Sequence, residues 1–190
     1  MAYDPLAESI ALIEHGPPDA PPRLSRRRRF APLAVDVDGD VACTIFARRS
    51  VGYVAEETWT LARRGQEWAL LGGGGGGFED DALADRPGAA ALGGHLVGNG
   101  GGSTLRNAGR LMPWGARYVS YAVLRASREV ERVVVGAREL PVPRHGHLVV
   151  VWDGRRAPTA TAEGADGRRL EGRPLELRRS RLPEVYRDPT

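Results

Sequence analysis

The sequence contains no lysine: all 27 of its basic residues are arginine. That removes every mechanism built on an amine, including Schiff-base chemistry and the lysine of a phosphate-binding P-loop. Cysteine is almost as scarce. Cys43 stands alone among 190 residues, which excludes an internal disulfide framework and a thiolate zinc cluster. No apolar run reaches membrane-spanning length. The opening "MAYDPLAESIALIEHG" lacks the basic start and long apolar stretch of a secretory signal. These absences give the expectation of a cytoplasmic protein with no membrane partner. Net charge is also small, at +3, too little by itself to call for a polyanion.

The length suits one compact domain with a sizeable core. Its first segment, residues 1–29, reads as a short amphipathic helix followed by a proline- and arginine-rich linker. Asp4 is placed to cap the helix, and Pro5 fits its first position. Leu6, Ile10 and Ile13 share one face, and Gly16 with Pro17 and Pro18 ends the turn.

From Phe30 the apolar period changes from 3.6 to 2, opening a hairpin block over residues 30–71. In "LAVDVDGDVACTIF", Asp38-Gly39 is a short-range hairpin signal, with Val37 expected opposite Asp40 and Val35 opposite Ala42. A calcium loop started at Asp36 would need glycine at its sixth position and an acid at its twelfth, where Val41 and Ala47 stand. In "WTLARRGQEWALL" a four-residue loop, "RRGQ", would set Leu61 opposite Trp68 and Trp59 opposite Leu70.

Six glycines follow at 72–77, and more than half of the 25 glycines fall within 72–115. A G-x-G-x-x-G match is trivial in such a run, and Glu79, Asp80 and Asp81 would set negative charge where a pyrophosphate should sit. No cofactor is therefore expected. The stretch reads as a long glycine-rich connection, tolerant of shortening because loop-closure entropy changes slowly with length.

Strand patterns resume in a second block, residues 116–172, with "RYVSYAVLRAS", "VERVVVGARELPV" and "HLVVVW", and a turn falls at Asp166-Gly167. No helix of useful length separates them. The whole reads as mainly β, an antiparallel β-sandwich or partly open barrel with a short N-terminal helix. The core is expected at Trp59, Leu61, Trp68, Leu70, Val133, Val135, Val149 and Val151.

The run "VERVVVGARELPVPRHGHLVVVW", followed by "PTATAEGADGRRLEG", resembles the small immunoglobulin-like or sandwich domains of uncharacterised actinobacterial proteins. The likeness spans roughly residues 117–172. It implies a fold and carries no function with it.

Candidate chemistry is sparse. His145 and His147, two apart in "PRHGH", could share a metal ion but lack a third ligand in the local sequence. In the other reading they sit at the rim of a turn. Ser103 follows glycines without a nucleophile elbow. Arginine clusters remain: Arg26, Arg27, Arg28 and Arg29, then Arg168 and Arg169, and a tail over residues 173–190 with Arg173, Arg178, Arg179 and Arg181. The tail arginines are interleaved with acids, as on a solvated surface. The expectation is a non-catalytic sandwich scaffold that binds another macromolecule, a protein first, or assembles with itself. The alternatives are a nucleic-acid accessory protein using Arg26 to Arg29 and, behind it, a metal-dependent or hydrolytic enzyme.

Overall fold

The computed structural model describes residues 3–17, 23–77, 83–108, 115–172 and 174–177. Helix α1 (Pro5–His15) starts where the cap requires. Asp4 Oδ1 accepts from the amides of Leu6 and Ala7 at 3.0 and 3.3 Å, and the helix stops at Gly16. Four strands follow as a meander in the order β1-β2-β3-β4: β1 (Phe30–Asp38), β2 (Val41–Arg49), β3 (Val54–Arg64) and β4 (Glu67–Gly77). After the single turn of α2 (Ala89–Leu92) come β5 (Leu96–Leu105), β6 (Tyr118–Ala126), β7 (Arg132–Val135), β8 (Arg138–Pro141), β9 (His147–Trp152), β10 (Thr159–Glu163) and β11 (Leu175–Glu176). They form a second sheet, β5-β6-β9, and a third, β11-β10-β7-β8. The class is mainly β with antiparallel sheets and a sandwich-like arrangement, as expected.

The second sheet is buried on both faces. On one side, Val119 and Val123 of β6 with Val149 and Val151 of β9 pack against Val41, Cys43 and Ile45 of β2. On the other, Leu124, Leu148, Val150 and Trp152 pack against Val130, Val133, Val135 and Ala160. All six residues of β9 are buried, which explains why "HLVVVW" shows a continuous apolar run where a half-exposed strand would alternate. Helix α1 covers the remaining face of the first sheet. Ser9 Oγ lies 2.8 Å from Thr44 Oγ1, and the Tyr3 ring sits 4.7 Å from Phe30 and 6.2 Å from Phe46. One ion pair joins all three sheets: Arg138 of β8 bonds the buried Asp36 of β1, whose Oδ2 also accepts from the Val151 amide at 2.8 Å.

Both hairpin turns differ in detail from the sequence expectation. The first turn is Gly39-Asp40, so Val37 pairs with Ala42 and Val35 with Thr44. The second is Gly65-Gln66, so Leu61 pairs with Leu70 and Trp68 with Arg63, whose guanidinium carbon lies 4.8 Å from the indole centroid. In each case a glycine at positive φ (+59° and +68°) takes the first central position of a two-residue turn, one residue later than the expected Asp38-Gly39 loop and within the expected four-residue loop "RRGQ". Each register moves by two residues, so the side-chain faces are kept. Of the expected core, Leu61, Val133, Val135, Val149 and Val151 are buried, whereas Trp59, Trp68 and Leu70 are half-buried.

The larger correction concerns the glycines. Residues 72–77 are strand, pairing from Gly72↔Thr60 to Gly77↔Ala55 after a bulge that leaves Leu71 without a partner. Residues 96–105 are strand as well. The expected connection over 72–115 is therefore broken up by two glycine-rich strands.

Candidate functional site

The expected arginine cluster is at the surface. Arg26, Arg27, Arg28 and Arg29 are all exposed, and the chain is shaped just before them. Ser25 Oγ accepts from the amides of Arg27 and Arg28, and the Ser25 amide donates to the Arg28 carbonyl at 2.8 Å. Arg29 then docks on the end of β2. The Arg49 amide donates to the Arg29 carbonyl at 2.7 Å, and Arg29 Nη2 lies 3.4 Å from the Arg49 carbonyl. Arg173, Arg178, Arg179 and Arg181 lie outside the described residues, as do Glu79, Asp80 and Asp81.

The histidines are buried, not at a rim. His145 occupies the turn before β9, and His147 is the first residue of that strand. The His147 amide donates to His145 Nδ1 at 3.1 Å, and Arg125 Nη1 lies 2.8 Å from His147 Nε2. Burial, then the charges of Arg125 and Arg86, push the His145 pKa down to about 4. A neutral imidazole has one acceptor nitrogen. In each ring that nitrogen is already engaged, one by an amide and one by a guanidinium. The contacts thus occupy His145 Nδ1 and His147 Nε2, and no group of three ligating side chains occurs among the described residues.

The hydroxyls and the thiol are placed for packing. Ser103 Oγ lies 2.9 Å from Ser120 Oγ. Ser127 is 3.4 Å from His95 Nδ1 but fully buried, so no substrate can reach it. Burial, reinforced by the charges of Asp36 and Glu56, raises the Cys43 pKa and keeps the sulfur a thiol.

What the sequence reading missed is the glycine edge. β4 is the last strand of its sheet, and among the described residues no strand pairs with its outer side. Gly73 to Gly77 are exposed, so the edge presents backbone that no other described strand pairs with. Aromatic rings from neighbouring strands occupy the room the glycines leave. A Cβ on Gly73 would lie 2.4 Å from the Trp59 ring directly across the ladder, and Trp59 Nε1 donates to the Tyr3 hydroxyl at 3.2 Å. On the opposite face, a Cβ on Gly102 of β5 would lie 2.8 Å from the Tyr121 ring, and one on Gly74 would be 3.2 Å from its hydroxyl. Tyr121 thereby spans both glycine strands.

Beside it lie Thr58, Thr60, Thr104 and Glu56. Thr60 Oγ1 is 3.1 Å from the Gly72 carbonyl and 3.0 Å from Thr104 Oγ1. Glu56 accepts from Thr58 Oγ1 at 3.3 Å, and burial raises its pKa. The arrangement holds β4 rigidly on its inner side and leaves its outer side open. A signal was present in the sequence: the glycine-bearing stretch 67–77 matches residues 54–64 in length across a tight turn.

No protein-family model matches the chain, and neither the curated proteins nor the solved structures contain a match to it.

Proposed function

We propose that the protein is a non-catalytic β scaffold that assembles with itself through the open edge of β4. The observation that carries this is the run of exposed glycines on an edge strand, fixed from within by Trp59 and Tyr121. An unpaired edge of this length is a template for another strand. Recognition of a foreign peptide by strand addition draws its specificity from side-chain pockets, which a glycine edge lacks. A second copy needs none, because two-fold symmetry sets the antiparallel register of β4 against itself. The single, buried, free Cys43 suits a reducing cytoplasm.

Gly76 and Gly77 have open space where a side chain would go. Gly76→Lys with Gly77→Lys should therefore fold while blocking the edge with charge. Sedimentation velocity over a range of concentrations should show the wild type as a dimer and this variant as a folded monomer. A wild type that stays monomeric throughout, or a variant that still dimerises, would remove the reading.

A further inference from the structure

The hairpin between β2 and β3 ends in Ser50-Val51-Gly52-Tyr53, closed by the Ser50 amide donating to the Tyr53 carbonyl at 2.9 Å. Val51 is 90% exposed and Tyr53 54%, the two most exposed large apolar residues among those described. Immediately behind this tip lie Arg48 and Arg49. The docking of Arg29 onto Arg49 brings the exposed run Arg26 to Arg29 alongside them. Neither residues 23–30 nor residues 47–54 contain an acid. Glu57 pairs with Arg48, whose side chain remains half-exposed. The result is an apolar point backed by a collar of cationic side chains.

We propose that this tip docks the protein on an anionic lipid surface. Charge behind an apolar point matches the layers of a membrane interface, where phosphates lie outside the acyl boundary. Val51 and Tyr53 enter the boundary while Arg26 to Arg29, Arg48 and Arg49 meet the headgroups. A nucleic acid fits less well. It rewards stacking faces among the arginines, where the tip offers Tyr53 alone and its more exposed residue is the aliphatic Val51. The expectation of no membrane partner rested on the lack of a long apolar run, which bears on spanning a bilayer and not on lying against one. This inference is independent of the β4 edge, because the edge variant keeps the tip intact.

The test is co-sedimentation of the full-length protein with phosphatidylcholine vesicles, with and without phosphatidylserine. The wild type should bind only the phosphatidylserine vesicles. Val51→Asp with Tyr53→Ser alters only exposed side chains and should lower partitioning about a hundredfold, the scale set by losing two buried apolar side chains. Replacing Arg26 to Arg29 by glutamine should lower it about fivefold per charge. Circular dichroism of both variants checks that the fold is kept. Failure of the wild type to bind phosphatidylserine vesicles would overturn the proposal, as would unchanged binding by the tip variant. So would tighter binding to single-stranded or duplex nucleic acid that depends on the arginines and ignores Val51, which would assign the patch to a nucleic acid.

Discussion

Two carboxyls within the first sheet, Asp36 and Glu56, show how burial competes with partners. Asp36 has the Arg138 guanidinium and the Val151 amide, yet its pKa is raised, because loss of water outweighs both. Glu56 has only the Thr58 hydroxyl, and its pKa is raised by the same cause. A carboxyl raised on folding favours the protonated form. Its stabilising contribution is complete below the ordinary carboxylate range and is lost as pH rises through the folded value. Charge on Glu56 therefore works against the fold. Glu56→Gln keeps the shape and removes the charge, so it should raise Tm by about 2–4 °C at neutral pH. The gain should vanish near pH 4, about where a carboxyl takes up its proton. Thermal melts across that range check this, and coincident melts at neutral pH would contradict it.

At the scale of elements, β4 is a strand because of what lies opposite it. β3 carries Trp59, Thr58 and Thr60 in strict alternation, and the glycines complete its ladder while leaving room for the Trp59 ring. Substitutions along the run should therefore differ sharply. Gly73→Ala drives a methyl into the indole and should cost about 1–3 kcal/mol. Gly76→Ala meets nothing and should be neutral or stabilising by about 0.5 kcal/mol through the unfolded chain. Denaturant titration of the two variants reads the contrast, and equal effects would argue for an unstructured run. Deleting three of the six glycines strips β3 of ladder partners, so the tolerance expected of a connector does not apply.

Elements whose side chains alternate were legible in advance. The 118–126 strand lies where the period placed it, the 147–152 strand was legible as an unbroken apolar run, and the Asp38 hairpin formed with its turn one residue later than expected. The glycine strands were not, because residues without side chains carry no period, and their state is set by a partner distant in the chain. The histidine pair was misplaced for a related reason. Spacing gave their proximity, but their burial and the Arg125 and Arg86 charges beside them come from the packing of distant segments, which spacing does not show.

At the scale of the molecule, three sheets stack with β6 and β9 shared between two cores, and the Asp36–Arg138 pair ties the outer layers to the centre. β1, β5, β8, β9 and β11 also end their sheets, and the proposed assembly depends on the β4 edge, where Gly73 to Gly77 are all exposed. Backbone hydrogen exchange over residues 72–77, measured at rising protein concentration, tests both halves of that claim together. The amides bonded to β3 should exchange slowly at every concentration, and the outward amides should slow as concentration rises. Fast exchange across the whole run would contradict the strand, and protection indifferent to concentration would contradict the assembly.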